Sequence, residues 1–401
     1  MRISTSTLYS EGVTAMQQMQ SNLARTQLQM TTGQRMLSPA DDPAAAARAI
    51  ELKQSDASNT QLASNRQAAM NTLSLEDGVL ASITSLLQDV KIMSLDAGGS
   101  LQTASSLKGI ATDLRGRMQE LFGLSNSTDG LGNFLFSGSQ GKIQPFADTA
   151  AGATYQGDDV QRLIQAGPTR QISSADSGAD IFMRIRNGNG SFATSVAAAN
   201  TGSGTITQGQ VLASPFNGNT YQVTFTSATT FDIQNVTTGT PVSTGNAYVS
   251  GQAITFDGIQ VEIKGAPANG DTFDIKPSVN QSVFETIKQF LATVDAPPLA
   301  GDAAANAKFQ QGLQQASAAL DLAINNVMYS RATVGARLRE LDSLQATGEE
   351  LGVQYKQTLS KIQDTDYIQA ATDMSKQQLA LQASQQSFAK ISQMSLFDYL
   401  R

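Results

Sequence analysis

Two seven-residue apolar repeats, one near each end, constrain this chain more than any other feature of its sequence. Met16, Met19, Leu23, Thr26, Met30, Gly33 and Leu37 form the first, and Tyr367, Ala370, Met374, Leu381, Phe388 and Ile391 the second. A repeat of this period marks a helix that buries one stripe against other helices. Between the seam positions both segments are filled with Gln, Ser, Thr and Ala. Residues 1–40 hold three Arg and one Glu, and residues 361–401 four basic and four acidic side chains. A helix with a solvated outer face ordinarily carries more charge, whereas Gln and Ser can be buried or line a wet channel without the desolvation cost of an ion. Met16, Met19, Leu23, Met30, Leu37, Tyr367, Met374, Leu381, Phe388, Ile391 and, beyond the repeat, Leu396 are therefore read as an assembly interface between copies. Stripes this narrow predict segments that order only on assembly. The alternative is a closed hairpin of the two ends within one chain.

Between these ends the helical periodicity is long. The first helix is expected from about Ser6 to Thr32, broken at Gly33. In Ser38-Pro39-Ala40-Asp41-Asp42-Pro43, Asp42 suits a helix N-cap and Pro43 the first helical position. Two carboxylates there also face the positive end of the helix dipole. A metal site at Asp41 and Asp42 is the alternative, but capping needs no further residue. The helix then runs to Ala97 and stops at Gly98-Gly99, a span of ~80 Å that no isolated globular helix reaches. Leu73, Leu80, Ile83, Leu87 and Val90 form one of its stripes, and Leu75, Val79, Leu86 and Met93 a second, as in a bundle. A third helix is expected from about Ser100 to Phe122, with Asp113 and Arg117 placed to pair. Further helices are expected over Ser282–Val294, stopped by Pro297-Pro298, and from Asp302 almost to the end. Leu313, Leu320, Val327, Val334 and Leu341 recur every seven residues and partner the stripes of the long second helix. Asp366 is placed to recap the chain after a break near 362–367.

The stretch from Pro145 to Pro277 differs in kind. Gly, Thr, Asn and Ser dominate, and Tyr221–Thr226, Thr230–Gln234, Gln260–Lys264 and Thr272–Lys276 alternate with period two. Asp257-Gly258 and Asn269-Gly270 read as hairpin turns, and Asn133–Gly138 as a short strand of a hairpin. Turn chemistry accounts for the Asp and Asn of these loops, because no spacing matches a calcium loop. The fold class is mainly α with an inserted all-β domain: a long antiparallel helical bundle, or coiled coil, formed by N- and C-terminal arms and nested around the insert. Residues 1–42 with 361–401 form a terminal assembly domain, 43–144 with 278–360 a helical body, and 145–277 a β-rich outer insert.

Composition removes whole classes of function. The chain has no Cys, no His and no Trp, which excludes disulfides, thiol catalysis, Ser-His-Asp chemistry and the usual zinc sites. No catalytic constellation, cofactor site or metal site stands out, and an enzyme is not expected. A net charge of -7 with scattered basic residues gives no footprint for nucleic acid. No stretch reaches the length of a membrane span, and residues 1–9 do not read as a Sec-type signal.

Several stretches together resemble the flagellin superfamily of bacterial axial proteins. The opening Met1-Arg2-Ile3-Ser4-Thr5 is similar to that family's start, and Thr32–Pro43, with its Gly33-Gln34-Arg35 and Asp41-Asp42-Pro43, to the stretch joining terminal helix and body. Ile362, Asp364, Asp366, Tyr367, Met374, Ser375, Gln378, Gln382 and Ala383 match the family's C-terminal pattern. Phe134–Gly138, Pro145-Phe146, Tyr155–Asp158 and Ser395-Leu396-Phe397 resemble the hook-associated junction subunits of the superfamily rather than filament flagellins. The resemblance covers both arms, about 1–159 and 282–401, and the insert only loosely. It implies a structural, extracellular subunit of the flagellum, exported unfolded through the flagellar type III apparatus. It further implies a ring of copies between the first hook-associated protein and flagellin, and a cytoplasmic export chaperone covering the C-terminal helix, where the apolar Leu381, Phe388 and Ile391 are the expected chaperone site. A flagellin-type filament subunit is the alternative, and a secreted surface-binding protein a further one.

Overall fold

The computed structural model describes residues 5–99, 103–150, 152–212, 216–298 and 301–393. Met1–Ser4 and the Ser395-Leu396-Phe397 signature, with Leu396, lie outside them. Six helices carry the chain: α1 (Thr5–Thr32), α2 (Pro43–Ala97), α3 (Ala104–Ser125), α4 (Val283–Asp295), α5 (Ala303–Gln363) and α6 (Tyr367–Gln393). The chain divides into two compact units, residues 1–64 with 344–401, and 65–343.

Helix ends follow the expected chemistry. Gly33 takes a φ of +71°, which a side chain would resist, and ends α1. Asp42 Oδ1 accepts the Ala45 N–H at 3.0 Å, capping α2 as expected with Pro43 at its first turn. Ser282 caps α4 by accepting the Glu285 N–H, and Asp366 Oδ1 accepts from the Ile368 and Gln369 amides at the start of α6. The third helix starts later than expected because Thr103 supplies its cap, and it runs on to Ser125. Arg117 does not pair with Asp113. It reaches Asp89 on α2 at 3.2 Å and Glu120 at 3.1 Å, so a bond between helices displaces the i,i+4 pair.

In the 65–343 unit the two heptad stripes are core. Leu73, Leu80, Ile83, Leu87 and Val90 of α2 and Leu313, Leu320, Val327, Val334 and Leu341 of α5 are all buried. Each such side chain contributes about 1.5–3 kcal/mol on leaving water. Lys91–Asp321 at 2.5 Å and Arg331–Asp77 at 3.0 Å lace the two helices in antiparallel order. The same stripe gives α2 an eighteen-residue window apolar enough, by composition alone, to cross a membrane. Leu80, Ile83, Leu86, Leu87 and Val90 of this helix are buried against protein, while Ile92 and Leu95 are exposed.

The β-rich region begins with two hairpins, β1 (Phe146–Thr149) with β2 (Gly152–Tyr155) and β3 (Leu163–Gln165) with β4 (Gln171–Ser173). A turn of π-helix, Ala179–Met183, interrupts the expected all-β composition. Phe182 on that turn packs with Phe136, Phe146 and Phe284, joining it to the β1–β2 hairpin and α4. Asn133–Gly138 is not a strand. Among the described residues it makes only isolated bridges, because Asp129 holds the backbone there by accepting from the Leu131 and Asn133 amides.

The β-rich module continues through β5 (Ile185–Arg186), β6 (Phe192–Val196), β7 (Thr205–Ile206), β8 (Gln210–Val211), β9 (Tyr221–Ser227) and β10 (Thr230–Asn235). It ends with β11 (Thr240–Ala247), β12 (Ala253–Phe256), β13 (Ile259–Lys264), β14 (Thr272–Pro277) and β15 (Asn280–Gln281). One sheet has the order β11-β10-β9-β14-β6 and another β12-β13-β7, with alternate residues such as Tyr221, Val223, Phe225, Phe273 and Ile275 forming a core between them. Asp257-Gly258 is a two-residue hairpin turn, both residues at positive φ, joining β12 to β13. Asn269-Gly270 is not a hairpin: β13 and β14 lie in different sheets, so this turn carries the chain across a corner. At the root of the module β5 pairs with β15 and β6 with β14, Pro277 standing opposite Phe192.

Candidate assembly interface

The 1–64/344–401 unit brings the two terminal seams together. Helices α1 and α6 run antiparallel: near one end Tyr9 and Phe388 meet edge to face, ring centroids 5.2 Å apart. A Cβ at Gly12 would stand 3.0 Å from the Phe388 ring, so the small residue is what lets the ring lie against α1. Midway, Thr26 Oγ1 donates to Gln377 Oε1 at 3.1 Å, and both Thr26 and Ala370 are buried. At the other end the two helix breaks meet in register. The Arg35 amide donates to the Gln363 carbonyl at 2.7 Å and the Thr365 amide to that of Gly33 at 2.9 Å. The Arg35 guanidinium adds a bond to the Ile362 carbonyl at 3.0 Å.

The seam residues lie along this pair. Met16, Met19, Leu23, Met30 and Leu37 are half-buried, as are Met374, Leu381 and Phe388. Tyr367 is more exposed, with its hydroxyl against Gly33. Ile391 lies in the last turn of α6, its side chain outside the description. The seam is thus occupied within one chain, which was the alternative reading of the sequence. Two half-stripes of equal period and opposite direction complete each other.

Asp41 and Asp42 act on the turn that follows α1. Asp41 Oδ2 accepts the Leu37 and Ser38 amides at 3.0 Å, and its other oxygen pairs with Arg25 at 2.9 Å. These contacts, the Ser38 amide foremost, hold the Asp41 carboxyl below the usual carboxylate range. Arg35 approaches Asp42 at 3.6 Å. Among the described residues no group of three or more acidic side chains is placed to hold a metal ion.

The surface left uncovered was not singled out from sequence. On α6, Ile368, Thr372, Ser375, Leu379, Gln382 and Gln386 recur at three- and four-residue spacing and are all exposed, Ile368 at 82% and Leu379 at 68%. On α1, Val13, Gln17, Gln20, Ala24, Leu28 and Thr31 form a matching exposed stripe, Leu28 at 54%. Neither stripe contains an ionisable group. The low charge of both termini extends over these outward faces as well as the seam.

Residues 3–141 match the family model for the bacterial flagellin N-terminal helical region, and 306–400 that for its C-terminal helical region. Residues 187–277 match the D2-like domain of flagellar hook-associated protein 1. The chain is 26% identical to flagellar hook-associated protein 3 of Salmonella typhimurium over the full length of both. It is 31% identical to Xanthomonas campestris FlgL, with a TM-score of 0.72, covering 77% of this chain and 99% of that one. The flagellar junction protein FlgL of Legionella pneumophila is 26% identical, with a TM-score of 0.70, over 80% of this chain and all of that one. With both flagellin helical regions flanking a hook-associated D2-like domain, the chain belongs to the FlgL family of flagellar hook-associated proteins and is a structural adaptor subunit of the hook–filament junction.

Proposed function

We propose that copies of this chain form a ring between the first hook-associated protein and flagellin, joined through the outward faces of the α1–α6 pair. The supporting observation is the pair of uncharged, exposed stripes that include Ile368 and Leu379 on α6 and Leu28 on α1. An isolated two-helix pair gains nothing from such stripes in water, whereas neighbouring subunits would bury them. In this reading residues 1–42 with 361–401 are the assembly domain, 43–144 with 278–360 the body, and 145–277 the outer part. The seam residues Met16, Met19, Leu23, Met30, Leu37, Tyr367, Met374, Leu381 and Phe388 shape that domain by closing the pair, and Ile391 and Leu396 are assigned to the same interface from the sequence alone.

The chain works outside the cell after export through the flagellar type III apparatus, and it has no catalytic role. Before export the α1–α6 pair is apart, and a chaperone covers the C-terminal seam at Leu381, Phe388 and Ile391. Ile368→Glu combined with Leu379→Glu tests the interface. Both side chains are already solvated, so melting of the purified chain stays within about 0.5 kcal/mol of the parent. Incorporation at the hook end, read by copurification with the flagellar base after filament shearing, is lost. Normal incorporation of the double variant overturns the interface. Long filaments formed by the purified chain alone would make it a filament subunit instead.

A further inference from the structure

Glu76 is the one acid in the described helical body whose side chain has nowhere to put a charge. It lies on α2 among the core stripe, with a residue exposure of 0%. Neither of its carboxyl oxygens has a hydrogen-bond partner of normal geometry. A buried carboxylate without donors costs several kcal/mol, and such groups ordinarily keep their proton.

Its charged surroundings are already complete. From the segment between β4 and the π-helical turn comes Asp176, and from α5 Arg337, whose Nη1 holds both Asp176 oxygens at 2.7 and 2.8 Å. Both partners of that bridge are nearly buried. From α2 itself comes Asp77, engaged by Arg331 of α5 at 3.0 Å. One turn beyond Arg337, Glu340 is held by Arg170. The three carboxylates and three guanidiniums named around Glu76 therefore balance only while Glu76 is neutral. Ionising it adds a fourth negative charge against those three cations.

We propose that Glu76 is a proton-operated latch of the helical body: protonated, it fills the junction of α2, α5 and the 174–177 segment, and on ionising it draws Arg337 from Asp176 and frees that segment from α5. The segment is a node. Its Ser174 amide donates to the Arg162 carbonyl at 2.8 Å, Ser177 bridges to Ser137, and Ser177 Oγ accepts the Ala179 amide that begins the π-helical turn. Losing the Asp176–Arg337 bridge therefore loosens the packing around the π-helical turn and the β1–β2 hairpin.

Burial, and after it the Asp176 carboxylate, push the Glu76 pKa up to about 8, against the opposing pull of Arg337 and the Asp176 amide. The direction of the latch follows. When the segment opens, Glu76 returns to an ordinary carboxyl near 4.5. Stability from the closed state is then full below that value and declines as pH rises towards about 8, the reverse of common acid unfolding.

Hydrogen exchange on the full chain, corrected for the intrinsic pH dependence of amide exchange, tests this. Protection of peptides covering 72–80, 172–178 and 333–341 should fall about tenfold per pH unit between about pH 5 and 8 and level off above. Peptides from β9 and β10 report the general background. In Glu76→Gln the same peptides should show protection independent of pH and higher than the parent at about pH 8. Equal slopes in parent and variant, or a flat parent, overturn the latch. Should the variant fail to fold, the parent decides by infrared spectroscopy with carbon-13-labelled glutamate. A protonated-carboxyl band at about pH 6.5 that bleaches by about pH 9.5 supports the latch, and no such band at pH 6.5 removes it.

Discussion

At the scale of single residues, Asp41 shows how a short loop is held by one carboxylate. It gathers the Leu37 and Ser38 amides and Arg25, and its pKa is lowered by those partners. A depressed folded-state pKa adds stability above the unfolded value near 3.8 that disappears as pH falls through the folded value. Asp41→Asn is therefore expected to melt earlier than the parent at pH 7 and together with it at about pH 2, as differential scanning calorimetry would show. The neighbouring Asp42 cap was legible in sequence because its partner amide lies three residues away. Asp41 was read as its companion at the helix dipole, since nothing local reveals that Arg25 folds back from the preceding helix. The same limit explains Arg117. Its i,i+4 partner was visible in sequence, but Asp89 belongs to another helix and wins on geometry.

At the scale of elements, period alone was a reliable guide and pairing was not. The α5 heptad from Leu313 to Leu341 is buried throughout, because a core stripe writes itself into spacing. Alternation found β9, β10, β13 and β14 for the same reason. Asn133–Gly138 failed because a strand needs a neighbour, and Asp129 had already claimed that backbone. Asn269-Gly270 failed because a turn signal does not say which sheet receives the next strand. The terminal seams were right as seams, but their mutual fit depends on register across more than 300 residues of intervening sequence. Phe388 fixes that register against Tyr9 and Gly12. Phe388→Ala should weaken the α1–α6 pair by about 1–2 kcal/mol, less than for a fully buried ring because Phe388 is only half covered. Exchange protection would fall over 9–20 and 380–390 and stay unchanged in the 65–343 unit.

At the scale of the whole molecule, nested organisation followed directly from the order of periodicities, helix outside and strand inside. What sequence could not supply is where the β-rich module joins the helices. Replacing Phe192–Pro277 by Asn-Gly should join Ser191 to Ser278 through a hairpin turn, since the Ser278 amide already donates to the Ser191 carbonyl at 2.9 Å. The hydrogen bonds to α5 that this removes include those from the Ile206 amide to Gln311, from Gln315 to the Thr194 carbonyl and from Lys308 to the Ala198 carbonyl. Water can replace most of them, so helical content by circular dichroism should survive and the melting temperature should fall by only a few degrees. The antiparallel root formed by β5 with β15 and β6 with β14 thus sets the chain's departure from the helices and its return to them side by side. A segment carried on such a stem can be lengthened, shortened or exchanged while its two points of attachment keep their spacing.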